Sequence, residues 1–566
     1  MSVEQDSSFF RLPPEVVFYI FRHLDAQTII RSVRLVCKQF STLVSTYDQF
    51  NLQLNSISKP EFHYLCNLIR PKQVKSLTLS NDAETPGQIE YFLSCFRLKQ
   101  YTQLRSLTLL EIDQCYLHVI LKDVLNMRLE ELIIISKEDL STDDAITNDL
   151  SMVTSLPTLR KFCLDIVTLD VSRITWSPMS MIQHLEIHCQ SVGAYCEILH
   201  RLPHLQILVV EQLLAIYSNN AIPDLKPACQ LSSLTFKYGS INMNRLRALL
   251  LLTPALNHLY LLRSVNMHDF ILHIFEWQLL VETTLSLLTK FEFFLVETGQ
   301  SFFPSVELVI APFQTPFWTE IKRWYAICDY TTHPQSIIVH SPSAHDPQFE
   351  YIFYSKHISR STSTPIISNV PIMNHIRILR LDLSTGIPPG LPYTSVFPNI
   401  EWLLLGLPDV WPPGSLRSLS TLVNLPSVTK LTLEMTGSSE HPLKMLRYDV
   451  ASLLKLAHNV RCLYLLGAGN NGHLSNCDLD VCSEIPENVK HLSVSITMAY
   501  QMDLVVRKLK YKSSINFLCT QSYHPVEEIY LKWFKDDNGS YSYRLTGTSL
   551  SVWFDKMKHT KKHSVY

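Results

Sequence analysis

One pattern of apolar and polar positions recurs along this chain: Φ-x-x-Φ-x-Φ, with Φ apolar, occurs fourteen times. Its first positions are Val74, Leu104, Leu129, Leu159, Ile182, Leu205, Leu231, Leu256, Leu288, Ile376, Ile400, Val428, Val460 and Val489. Leu104-Arg-Ser-Leu107-Thr-Leu109 and Val428-Thr-Lys-Leu431-Thr-Leu433 are representative copies. The alternation at the end of each copy is that of a β-strand with one buried face. Apart from one long gap, successive copies start 23 to 32 residues apart, enough for a strand and a helical return that lets the next strand run parallel. Pro157, Pro203, Pro254, Pro398 and Pro426 each stand two residues before a copy. Proline cannot continue a helix, so the same helix-to-strand turn is predicted five times. The expectation is an α/β solenoid, with helices outside and a parallel sheet inside.

The segment before the first copy has a different period. Val16, Val17, Ile20, Phe21 and Leu24 recur at helical spacing, as do Ile29, Val33, Val36, Phe40 and Leu43 after a break at Asp25. Pro13 and Pro14 suit a helix's first turn, and Glu15 complements its dipole. Two short amphipathic helices are predicted. Leu12-Pro13-x-Glu15, Ile20-Phe21-x-x-Leu24-Asp25 and Val36-Cys37-Lys38-x-Phe40 together resemble the F-box. Phe40 stands where tryptophan is commoner, and Gln27-Thr28 replaces the usual acidic residue. The resemblance implies that Leu12, Pro13, Ile20, Phe21, Leu24, Val36 and Cys37 meet a Skp-type adaptor, and through it a cullin–RING ubiquitin ligase. A helical unit this small cannot bury a self-sufficient core, which agrees with contacts beyond itself.

The repeated template resembles the strand signature of leucine-rich repeats. The ninth position, where regular repeats carry Asn or Cys, is Asp82, Ile112, Lys137, Val167 and Gln190 in the first five copies. No asparagine ladder is expected, and the horseshoe should be irregular. The organisation predicted is an F-box over 8–50, a first arc over 51–296, an aromatic-rich stretch over 297–375, a second arc over 376–500 and a cap and tail over 501–566. The aromatic-rich stretch includes Phe302, Phe303, Phe313, Phe317, Trp318, Trp324, Tyr325, Phe349, Tyr351 and Phe353. It reads either as distorted repeats, with strands near 337–340 and 349–354 and an extra helix around 318–328, or as a small subdomain inserted in the arc; distorted repeats are the favoured expectation.

By strand alternation, the third, fifth and seventh template positions face the concave surface. The fourth to eighth copies place Lys161, Asp165, His184, Glu186, His188, Glu211, Lys237, His258 and Tyr260 there. Charged, histidine and tyrosine side chains on adjacent strands make a directional surface, and a client protein is expected on it. The aromatic stretch is the rival client site.

Composition narrows the chemistry. Hydrophobic residues are 46% and charged residues 18%, the profile of a folded chain. Lys+Arg (49) nearly balances Asp+Glu (51), so no case arises for nucleic acid or an anionic membrane. Thirteen scattered cysteines read as free thiols of a cytoplasmic or nuclear protein. Met1 to Phe10 has acidic Glu4 and Asp6 and no basic start, so no secretory signal is expected.

Gly467-Ala-Gly469-Asn-Asn-Gly472 fits a dinucleotide fingerprint but lacks the following helix and acidic residue. His184, Glu186 and His188, with Glu211 next to them, read as outward strand positions rather than metal ligands. Cys462, His473, Cys477 and Cys482 form no close pair, and the basic tail 556–563 is short. No catalytic set, cofactor or metal is expected. The resemblance implies a non-enzymatic substrate receptor of an SCF-type ubiquitin ligase; the alternative is a repeat scaffold that uses its F-box outside ubiquitination.

Overall fold

In the computed structural model the described residues are 12–137, 144–189, 191–213, 230–298, 306–332, 335–344, 346, 350–352, 357–362, 376–383, 397–408, 411, 413–435, 444–467, 482, 484–496, 501–502, 504–505, 509, 513–519, 541–546 and 549–554. The chain is a mixed α/β protein with a small helical region followed by two large, mostly parallel sheets, a solenoid-like body.

The first sheet begins with β1 (Phe50–Gln53), β2 (Val74–Ser80), β3 (Ser106–Leu110), β4 (Glu131–Ser136) and β5 (Lys161–Ile166). It continues through β6 (His184–His188), β7 (Ile207–Glu211), β8 (Ser233–Lys237), β9 (His258–Leu262) and β10 (Lys290–Thr298). These ten strands lie side by side in chain order, each parallel to the next. Thirteen of the fourteen template copies start their strand at the third position, after the chain has turned out of its outer segment. All three apolar positions of every copy are buried. They project from one face of each strand onto the returning helices, so the template is the sheet's inner packing surface written in sequence.

The missing asparagine ladder is replaced by backbone. Glu111, Gln212, Tyr238 and Arg263 each occupy the eighth template position and have φ of 48–51°. This left-handed residue turns the chain off the strand while its N–H donates to the neighbouring strand, at 2.7 Å to Ile135 O and 2.8 Å to Lys237 O, Leu262 O and Phe294 O. An L-residue carries a penalty of about 1–2 kcal/mol there. Gln212 is exposed, which isolates this backbone effect. Gln212→Gly is expected to leave the thermal midpoint unchanged or raise it. Gln212→Val, whose β-branch cannot relax in this region, is expected to destabilise by about 1–2 kcal/mol. Equal midpoints for the two variants would contradict the assignment.

The aromatic-rich stretch holds both expected strands, at Gln335–His340 and Glu350–Ile352, but differs in its pairing and its helix. The C-terminal half of β10 pairs antiparallel with β12 (Gln335–His340), which pairs with β11 (Ile327–Thr332), itself paired with β14 (His357–Ser361). An antiparallel ribbon ends the first sheet, in place of further parallel repeats. Residues 317–321 form a single wide helical turn, and the predicted helix over 318–328 gives way to β11. Phe313, Trp318 and Trp324 are buried against Phe291 and Phe293, and Phe317 against Trp318 and Trp324, so the rings close this end of the core and are not an exposed docking site. Phe302, Phe303, Phe349 and Phe353 lie outside the described residues.

The second sheet starts at β13 (Glu350–Ile352) and runs parallel through β15 (Ile378–Asp382), β16 (Trp402–Leu407), β17 (Lys430–Met435), β18 (Cys462–Gly467), β19 (His491–Ile496) and β20 (Ser514–Cys519). It ends with antiparallel β22 (Ser549–Phe554) and β21 (Tyr541–Thr546). The glycine-rich motif 467–472, His473, Cys477 and the tail beyond Phe554 fall wholly or mostly outside the described residues.

A single open horseshoe was the expectation; the two sheets instead close on each other. At one seam Asp346 accepts from the Tyr238 hydroxyl (2.8 Å) and lies 3.6 Å from Arg263, while Ser343 donates to Glu292. At the other, the end of the second sheet returns to the start of the first. Trp553 of β22 is fully buried in the first sheet's core, edge-on to Phe62, with its indole N–H donating to Ile57 O at 2.9 Å. Arg544 donates to Asn81 O (2.7 Å) and Asp113 (3.0 Å). Gly87 has φ of 72° and the Tyr543 carbonyl so close that a Cβ would meet it at 3.2 Å. Both seams join residues far apart in sequence, and the body is a ring.

Candidate functional site

Two candidate surfaces carry the residues singled out in the sequence: the outer face of the helical region and the inner face of the ring. The helical region comprises Pro14–Phe21, a continuous mixed α/π segment over 26–36, and Lys38–Thr46. The sequence predicted two helices; the second is cut at Cys37, whose extended backbone and side-chain sulfur cap the last helix, the sulfur accepting from Phe40 N–H at 3.5 Å. Asp25 caps the middle segment through Thr28, and the hydrogen bonds from Thr28 hold its carboxyl below the usual range although partial burial works the other way.

Val17, Phe21, Ile29, Ile30, Phe40 and Val44 face inward, continuous with the first sheet's core through Tyr47 and Phe50. Phe21 meets Tyr47 edge-on and Phe18 lies tilted against it, and Tyr47 in turn meets Phe50 edge-on. Gln73 donates to Ser45 O and Tyr47 O, and Arg31 pairs with Glu61 at 2.9 Å, so the unit is fixed to the first coil.

The predicted adaptor contacts divide. Pro13 and Val36 are exposed; Leu12, Ile20, Leu24 and Cys37 are half-buried; Phe21 is only 2% exposed and supports the surface from behind. Val16, Tyr19 and Leu35 were not singled out, yet they are among the largest exposed apolar side chains of the unit, Leu35 at 73% and Val36 at 60%. Three-residue spacing between Val16 and Tyr19 puts both on one side of the first helix, a signal present in the sequence. Residues 9–49 match the family model described as F-box-like. No curated protein matches the chain. The fold and this match define an F-box-bearing protein with a solenoid-like ring, suited to a protein-interaction adaptor.

All nine predicted client-facing residues lie on β5 to β9 at inner-face positions, and the structure shows many of them engaged with one another. Lys237 bridges Glu186 (2.5 Å) and Glu211 (2.8 Å). Burial opposes its ammonium, but these two partners raise its pKa overall. Lys161 pairs with Glu131 at 2.6 Å, and His258 lies 2.8 Å from Glu292. Tyr260 packs against the second sheet's core. His188 is 1% exposed, and burial lowers its pKa; His184 is lowered too, by burial and then by Lys161. Burial pushes the Asp165 carboxyl up to about 6, with Glu211 and Glu186 adding to it.

Asp165, His188 and Glu211 converge, their ligand atoms all within 4.8 Å of one another. Across the ring, Arg380 of β15 pairs with Glu350 and Glu434, and Trp402 donates to Thr432 beside Tyr464. That second set was not singled out in the sequence, though the same third-fifth-seventh rule marks it.

Proposed function

We propose that this protein is a non-enzymatic substrate receptor of an SCF-type E3 ubiquitin ligase, acting in the cytoplasm or nucleus in the ubiquitin-conjugation pathway. The carrying observation is the exposure of four apolar side chains, Val16, Tyr19, Leu35 and Val36, on a small helical unit whose inward side chains are otherwise packed. Such exposure is energetically costly in water and suits a partner's helices. The F-box-like match supports a Skp-type adaptor as that partner. On this reading the ring is a closed leucine-rich-repeat solenoid whose inner face captures a client protein, with no role for nucleic acid or membrane. No described helix is long and apolar enough to cross a bilayer. Catalysis belongs to the recruited conjugating enzyme; the receptor contributes effective concentration of client lysines.

Affinity purification of the tagged full chain tests this. Adaptor and cullin should co-purify. Adaptor without cullin would favour a repeat scaffold working outside ubiquitination, and absence of both would overturn the reading.

A further inference from the structure

The seventh template position of β5, β6, β7 and β8 carries Asp165, His188, Glu211 and Lys237 in turn. Parallel strands in register hold same-row side chains about 4.8 Å apart, so this row is a rigid comb of ligating groups. Its first three members bring one ligand atom each within 4.8 Å of the others, and His188 Nδ1 stands 4.0 Å from Asp165 Oδ1.

Two further observations suit a cation here. The His188 side chain is 2% exposed; its Nδ1, which faces the carboxylates, stands beyond hydrogen-bond length of Asp165 at 4.0 Å, and its Nε2 has no hydrogen-bond partner among the described residues. A buried imidazole nitrogen without a partner is uncommon in native structures and calls for an explanation. Beyond it, Lys237 pairs with two of three neighbouring carboxylates, Glu186 and Glu211, while Asp165 has only His188, at 4.0 Å, opposite it among the described residues. Lys237 contacts Glu211 through Oε1 and does not contact Asp165 in any described hydrogen bond, so negative charge is left over where solvent is scarce. Glu211 is itself only 12% exposed.

We propose that Asp165, His188 and Glu211 form a binding site for one zinc-class divalent cation on the inner face of the ring. The donor set decides the class. An imidazole nitrogen with two carboxylate oxygens fits zinc, whereas calcium and magnesium take oxygen donors and softer ions take thiolates. Tetrahedral donors about 2 Å from zinc stand roughly 3.3 Å apart, so side-chain rotation closes the triad without moving the strands. Three protein ligands leave a fourth position for water or for a donor from a bound partner. The site does not depend on the ring being a ubiquitin-ligase receptor.

The test uses the full chain, reduced and stripped of metal, titrated with Zn2+ against a chromophoric chelator. One sub-micromolar site is expected, weakened at least about 100-fold in His188→Ala and in Asp165→Asn. Magnesium should not compete. Zinc-edge X-ray absorption on the unmutated protein provides a second reading that needs no variant. It should show nitrogen and oxygen donors, one imidazole and no sulfur. Absence of a saturable site, affinity unchanged in both variants, or a sulfur shell from the cysteines would overturn the proposal.

Discussion

Trp553→Ala is expected to destabilise the protein by about 3–5 kcal/mol and to open the ring. The side chain belongs to β22 of the second sheet but is fully buried in the core of the first, edge-on to Phe62. Truncation removes that apolar contact and leaves a cavity. It also strands Ile57 O, which now accepts the indole N–H at 2.9 Å. Polar contacts also cross this seam, from Arg544 to Asn81 and Asp113, from Ser514 to Ala83 O, and from Glu84 to Cys462, Lys430 and His491, but none fills the apolar core that the indole occupies. Denaturant unfolding should show the loss, and small-angle scattering should show a larger radius of gyration. Trp553→Phe should keep the compact scattering profile. A compact profile for Trp553→Ala, with a stability change below about 1 kcal/mol, would contradict the closed-ring account.

The second large effect is on assembly. Joint replacement of Leu35 and Val36 by aspartate is expected to abolish capture of a Skp-type adaptor, because buried interface anchors contribute about 2 kcal/mol or more each and a charge there would be desolvated without a partner. Both side chains are largely exposed, so the isolated chain should keep its thermal midpoint, within about 0.5 kcal/mol of stability. Phe21→Asp should behave differently. Phe21 is packed on Phe18 and Tyr47, and that variant should lose the helical unit along with binding. Retained adaptor capture by a folded Leu35→Asp, Val36→Asp double variant would place the adaptor surface elsewhere.

Local structure was well written in the sequence because it depends on neighbours in the chain. The template marked strand positions to the residue, since alternation of buried and outward side chains needs only one face to be covered. It also placed Lys161, Glu186, Glu211 and Lys237 on a common face, for the same reason. What local pattern could not carry was closure. Trp553 and Phe62, or Arg544 and Asn81, meet only once two whole sheets have curved, and no periodicity links them.

The aromatic stretch failed for a related cause. Phe313, Trp318 and Trp324 have the composition of an exposed anchor site, but their burial depends on Phe270, Phe291 and Phe293 lying opposite. In the helical unit, the split at Cys37 turned on one capping contact, and the roles of Val16 and Phe21 turned on which way the first helix is rotated. The metal-ligand row was visible as positions, yet nothing in one strand says that His188 lacks a hydrogen-bond partner at Nε2.

The most direct test of the central claim is reconstitution from purified parts. The full chain mixed with a Skp-type adaptor, then with a cullin, should elute from size-exclusion chromatography first as a one-to-one complex and then as a ternary complex, with masses read by light scattering. Elution of a folded chain apart from the adaptor would contradict it.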